Sequence, residues 1–168
     1  FYGNIFSFQF KDDKQQMTLG GGYTRYEGLH YGELLWASNG MPLDPDWYRL
    51  NALKTDFNVY FKHQLEFRPH WNLFYDLQYR HVKYNINGFR DRPSLIVHND
   101  FNFFNPKAGI SFNNKGWKGY LSYGIANKEP NRDDFETGIA QLPKPERLHD
   151  IELGIERSIK NYSWSAVL

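Results

Sequence analysis

Few residues of this chain are spaced for chemistry. Glu146 and Glu152 could pass for the carboxylate pair of an acid–base catalyst, but no nucleophile or metal set accompanies them. His63, His70 and His81 do not assemble a tetrahedral ligand set, so no metal site is expected. The absence of cysteine removes disulfide frameworks and thiolate sites. No cofactor is implied, and the chain does not read as an enzyme. The cations Arg90, Arg92 and His98, with Arg132 further on, are more suggestive. Such groups hold an anionic ligand through bidentate or charge-assisted bonds, although an ordinary charged loop has the same composition. Trp36, Trp47 and Tyr48 could stack on a ligand such as a sugar ring, or Trp47 and Tyr48 could join an aromatic girdle at a membrane interface.

The elements that position these residues are strands. From 56 to 67 the odd positions Phe57, Val59, Phe61, Leu65 and Phe67 are apolar, with His63 the exception. The even positions Asn58, Lys62, Gln64 and Glu66 are polar. A period of two sends successive side chains to opposite faces of a strand. Soluble strands average about 5–6 residues, and this alternation runs about twice as long. Tilted strands of about 9–11 residues are what crosses a bilayer. The 168 residues carry a net charge of +1, which implies no general attraction to nucleic acid. No run of about 18 apolar residues is present, so no transmembrane helix is expected. The mean hydropathy is well below zero. A barrel with one lipid face and one wet face can be polar on average and still span a membrane.

The pattern predicts eight strands, near 1–10, 15–26, 51–67, 71–84, 101–112, 117–127, 146–159 and from about 162 to Leu168. Tight turns fall at Lys11–Lys14, Arg68-Pro69-His70, Asn113–Gly116 and Lys160-Asn161. Long loops are expected over 27–50, which holds Asn39-Gly40, Pro42 and Pro45, over 85–100 and over 128–145. A bulge is expected at Asn105-Pro106, since proline cannot donate to a ladder. Short and long connections alternate, which in a meander puts all the long ones at one rim, as in outer-membrane barrels. A soluble up-and-down barrel of lipocalin type is the alternative. It would have to bury Phe57, Phe61, Leu73 and Leu77 on one side or Lys62, Glu66, Asp76 and Arg80 on the other.

Three stretches then carry a resemblance: Asn105-Pro106-Lys107-Ala108-Gly109-Ile110-Ser111-Phe112, the run from Tyr120 through Glu129-Pro130 to Phe135, and the run from Lys144-Pro145-Glu146 to Glu156. With Gly20-Gly21-Gly22-Tyr23 and His30-Tyr31-Gly32-Glu33 earlier, the chain resembles the C-terminal part of the barrel of TonB-dependent outer-membrane receptors. The resemblance implies an all-β antiparallel meander within a barrel of about 22 strands. It also implies an N-terminal plug, energy supplied through a TonB protein, and import of a scarce nutrient, foremost an iron chelate (siderophore).

The whole of 1–168 is then a partial barrel domain, with plug and remaining strands expected outside it. No signal peptide stands at Phe1, and Leu168 ends inside a strand, so both ends are expected to continue. The location implied is the outer membrane of a Gram-negative bacterium, in contact with its lipid and lipopolysaccharide. Trp36, Arg90, Arg92, His98 and Arg132 become candidate ligand residues in extracellular loops. Lys62, Glu66, Asp76 and Arg80 become lumen residues that could grip the plug or pair across strands. Haem receptors of the family carry a His between two conserved boxes; the equivalent stretch here, 127–148, has none, and His149 follows it. Import of a glycan or another nutrient, or a structural or adhesive barrel without transport, are the alternatives. An open sheet with unpaired edges, or pairing between copies, is expected of such a piece.

Overall fold

The computed structural model describes residues 1–36, 38, 47–137 and 143–168. The strands are β1 (Tyr2–Lys11), β2 (Gln15–Gly32), β3 (Tyr48–Arg68), β4 (Trp71–Phe89), β5 (Arg92–Asn114), β6 (Trp117–Lys128), β7 (Glu146–Ile159) and β8 (Tyr162–Val167). A short helix, α1 (Arg132–Thr137), lies in the β6–β7 connection. The eight strands form one sheet in chain order, each antiparallel to the next. β1 and β8 are its edges, and no pairing among the described residues joins them. The sheet is open, as expected.

Register sorts the side chains into two faces. One row runs Met17, His63, Tyr75, Ala108, Tyr123, Ile151, and another Leu19, Phe61, Leu77, Pro106. On the opposite face one row runs Gln9, Thr18, Lys62, Asp76, Lys107, Gly124, Asp150. Phe57, Leu73 and Leu77 are 40%, 38% and 40% exposed, so they form no sealed centre. The apolar face is an outer wall. At the short-turn rim it carries aromatics: Trp71 lies 4.9 Å from Phe112, Trp117 lies 5.9 Å from Trp164, and Arg157 sits 4.7 Å over the Trp117 ring. That is the girdle composition of a membrane interface. His63, the exception in the alternation, lies buried on this face. Its Nε2 donates to Gln15 Oε1 (3.1 Å) and its Nδ1 accepts from the Tyr75 hydroxyl (2.9 Å), so its polarity is satisfied within the wall.

Several sequence expectations need correction. The loop over 27–50 is shorter: β2 continues to Gly32 and β3 begins at Tyr48. Of its turn residues, Asn39-Gly40, Pro42 and Pro45 lie outside the described residues. The loop over 85–100 is a long hairpin, with β4 and β5 running on to Phe89 and Arg92 around Arg90-Asp91. Gly88, at φ 94°, marks a register shift between Asn87 and Phe89 and is the source of the misleading turn signal. No bulge occurs at Asn105-Pro106, where Pro106 pairs in register with Leu77. Instead the β5–β6 ladder stops at Lys107. Beyond it Asn105 Oδ1 accepts from Asn127 N (2.9 Å) and Nδ2 (2.8 Å), a side-chain bridge in place of ladder bonds. The 128–145 connection is long as expected, but it contains α1, whose start is signalled by Asn131 N donating to Asp134 Oδ2 at 2.7 Å.

The β6–β7 connection also folds back over the polar face. Phe135 packs with Val82, Tyr84, Ile86, Phe89, Val97 and Phe103, the main buried cluster of the described residues. The projecting hairpin therefore owes its regularity to a partner distant in sequence.

Candidate functional site

Chemistry-bearing side chains gather on the polar face near the rim of the long connections. Lys54, Asp56 and Arg80 stand on neighbouring strands because Asp56 pairs with Val82 while Lys54 pairs with Tyr84, one turn of the pleat away. Glu129 enters from the β6–β7 connection and is 7% exposed. Arg80 Nη1 donates to Glu129 Oε2 at 2.7 Å, Arg80 Nε donates to Asp56 Oδ2 at 3.0 Å, and Lys54 Nζ donates to Glu129 Oε1 at 2.9 Å. Burial alone would raise the Glu129 carboxyl. The hydrogen bonds from Arg80 and Lys54, with the Arg80 charge, outweigh it and hold that group down to about 2. Two cations and two carboxylates thus close on one another and pin the connection to the sheet.

Beside this cluster lies a depression of about 260 Å³ lined by Tyr26, His30, Lys54, Tyr84, Ile86 and Arg132. Lys54 Nζ lies 4.9 Å over the Tyr84 ring. Arg132 is held by Nη2 donating to Gly88 O at 3.3 Å and by stacking 4.9 Å from the Phe89 ring. The lining is mostly apolar and aromatic and suits the flat face of a ligand by stacking, and the cations at its edge are engaged, Lys54 with Glu129 and Arg132 with Gly88 O. Lower on the same face, Asn58, Tyr60, Lys62, Asp76, Gln78, Asn105 and Lys107 line a polar depression of about 400 Å³.

The expected ligand residues are not all brought together. Arg132 lines the upper depression, while Arg90 and Arg92 stand at the tip of the β4–β5 hairpin, Arg90 Nε donating to Asp91 at 2.9 Å. Trp36 is largely exposed beyond β2. His98 pairs with Asn85 in register, which places both on the apolar side of the sheet, and its Nδ1 bonds Asn85 Oδ1 at 3.0 Å. Of the four expected lumen residues, Lys62 and Asp76 pair at 3.3 Å, Arg80 belongs to the ionic cluster, and Glu66 Oε1 accepts from His70 N at 3.3 Å. Tyr26, His30, Lys54, Tyr84 and Glu129 were not anticipated. His30 and Glu129 fall within stretches that carry the family resemblance, but the strand pattern marks neither as a site residue. Among the described residues no group of His, Asp or Glu is placed to hold a metal ion.

Comparison with known proteins agrees with this geometry. The family model described as "TonB dependent receptor-like, beta-barrel" matches residues 1–168. A search of curated proteins finds no match. Among solved structures, the FrpB iron transporter of Neisseria meningitidis (F3-3 variant) aligns with 98% of this chain and 27% of its own, at TM-score 0.68 and 19% identity. The ferric-catecholate import receptor Fiu of E. coli K12, closed form, aligns with 98% of this chain and 31% of its own, at TM-score 0.64 and 15% identity. At such identities the likeness is one of fold, and the chain spans under a third of either structure. Eight meandering strands, one greasy face, one wet face and a family match from end to end lead to one conclusion: the chain belongs to the TonB-dependent receptor β-barrel family.

Proposed function

We propose that this chain is a sector of the barrel of an outer-membrane receptor that imports an iron chelate, with a plug domain and a TonB protein as partners of the whole. The observation that carries the choice of cargo is the depression of Tyr26, His30, Lys54, Tyr84 and Arg132 on the wet face. Ferric chelates present anionic oxygens on flat aromatic or conjugated groups; the aromatic lining matches the flat face by stacking, and the cations stand at its edge. The two fold neighbours, an iron transporter and a ferric-catecholate import receptor, support the same reading. Lys62, Glu66 and Asp76 face the plug across the bore. Arg80 acts there only through the Glu129 cluster. Arg90 and Arg92, on the projecting hairpin, meet the chelate first. Trp36 and Trp47, 77% and 70% exposed, favour a second reading in which a glycan is the cargo.

Growth rescue decides between them. The full-length receptor is expressed in an iron-starved strain lacking its own chelate receptors, and in a carbon-starved strain offered oligosaccharides. Rescue by ferric catecholates or other ferric chelates alone is the expected result. Rescue by oligosaccharide alone would transfer the cargo to glycans. In the chelate case Arg132→Gln should weaken binding by about tenfold or more, the cost of one charged hydrogen bond.

A further inference from the structure

The outer wall carries an unfilled groove near the short-turn rim. On β6 the apolar face reads Trp117, Gly119, Leu121, so one position among large side chains has none. Trp71, Ile110, Phe112, Leu121 and Ile155 wall a hollow of about 350 Å³ with Gly119 in its floor. A Cβ at Gly119 would meet only Gly154 O, at 3.7 Å, so neither the backbone nor close packing demands glycine there. The groove is open to whatever covers this face, and for this family that is the hydrocarbon of an outer membrane.

The rim beneath the groove is cationic. Arg157 faces Trp117 across the β6–β7 ladder and donates by Nη1 to Lys115 O at 2.6 Å. Lys160 occupies the adjoining β7–β8 turn, and Arg68 lies opposite Trp71. No Asp or Glu occurs in 67–71, 113–117 or 157–162. Glu66, whose carboxylate accepts from His70 N at the β3–β4 turn, and Glu156 with its partner Lys118 stand at positions of the other face. Trp117 stands about 7 Å along the strand from Gly119, and the cations lie just beyond it. That places positive charge at headgroup depth directly under an apolar slot, with Trp117 and Trp164 at the boundary.

We propose that this groove is a binding site for an anionic phospholipid of the inner leaflet. One acyl chain lies in the slot over Gly119 between Trp71 and Ile155, and the headgroup phosphate is held by Arg157, Lys160 and Lys115. A lipid of net negative charge near such cations gains a preference over a zwitterionic one of up to about fivefold per Lys or Arg. The site requires the apolar face to meet lipid but is independent of the cargo.

The test is native mass spectrometry of the full-length receptor, equilibrated with equal amounts of phosphatidylglycerol and phosphatidylethanolamine of identical chains. Preferential retention of phosphatidylglycerol is expected. Lys160→Gln, at an exposed turn position, should lower that preference by up to about fivefold, and Lys115→Gln should act likewise. Gly119→Leu should reduce retention of both lipids, since it fills the slot without touching the cations. Equal retention of the two lipids by the unaltered receptor overturns the proposal. So does a preference indifferent to both lysine changes, or a Gly119→Leu receptor that keeps its lipid. A receptor that discriminates lipids yet fails chelate rescue separates this site from the reading of cargo.

Discussion

Glu129 shows how one residue can decide the shape of a wall. It is nearly buried, yet it is charged, because Arg80 and Lys54 reach it from β4 and β3. Removing its charge leaves Lys54, a third exposed, without its carboxylate while Arg80 keeps Asp56, so the cost falls below the about 3–5 kcal/mol of a fully buried pair. Glu129→Gln should therefore release the start of the β6–β7 connection, read as faster hydrogen exchange over 129–137 and looser packing of Phe135. The pH dependence has a definite sign. The folded carboxyl sits at about 2, below its ordinary 4.5. Its contribution is complete above about 4.5 and is lost as pH falls from there through about 2. A carboxyl-carbon NMR titration of Glu129 should show a midpoint near the lower value, and a midpoint above 4 would remove the ion-pair account. Asp91, at the hairpin tip, is also held low, first by its hydrogen bond from Arg90, but it is mostly exposed and its bond to Arg90 is local to the turn.

Strands and turns show which parts of the pattern a sequence carries. The alternation in 56–67 placed Phe57, Val59 and Phe61 on one face and Lys62 and Glu66 on the other, and register agrees residue by residue. Period-two patterning is local, so it survives without tertiary information. The outer halves of β4 and β5 did not read as strands, because Gly88, Pro93 and a run of polar residues break the alternation there. What keeps them extended is Phe135 against Tyr84 and Ile86, from a segment far along the chain. The upper depression was hidden for the same reason: His30, Lys54 and Arg132 converge only through register and the folded-back connection. Two changes test the element scale. At the β5–β6 hairpin Gly116 has φ 78°, and an added Cβ would run into Ser158 O. Gly116→Ala should cost roughly 1–3 kcal/mol in urea unfolding, through backbone strain and a clash no side chain can relieve. Asn105→Ala strands Asn127 N where Pro106 has ended the ladder, and should cost about 1–3 kcal/mol. Its signature is local, faster exchange of the Asn127 amide with little change at Gly119.

At the scale of the whole molecule the two faces meet two solvents, and the same charge introduced on each should behave differently. Leu77 lies in the middle of the apolar wall in a row with Leu19, Phe61 and Pro106. Gln78, its neighbour on β4, points to the other face and accepts from Asn105 Nδ2 at 2.9 Å. An arginine at a lipid-facing position near the bilayer midplane costs about 2–4 kcal/mol in a transmembrane barrel, and substitutions facing the lumen cost little. Leu77→Arg should therefore destabilise the full-length receptor by about that amount in phospholipid vesicles, measured by reversible guanidinium titration of tryptophan fluorescence. Gln78→Arg should lose about 1 kcal/mol, the worth of the bond to Asn105. Detergent micelles adapt to a charged wall more readily than a bilayer does, so the gap between the two variants should narrow there. Equal costs in vesicles would mean that the wall of Phe57, Phe61, Leu73 and Leu77 does not face hydrocarbon, and the phospholipid groove over Gly119 would then have nothing to hold.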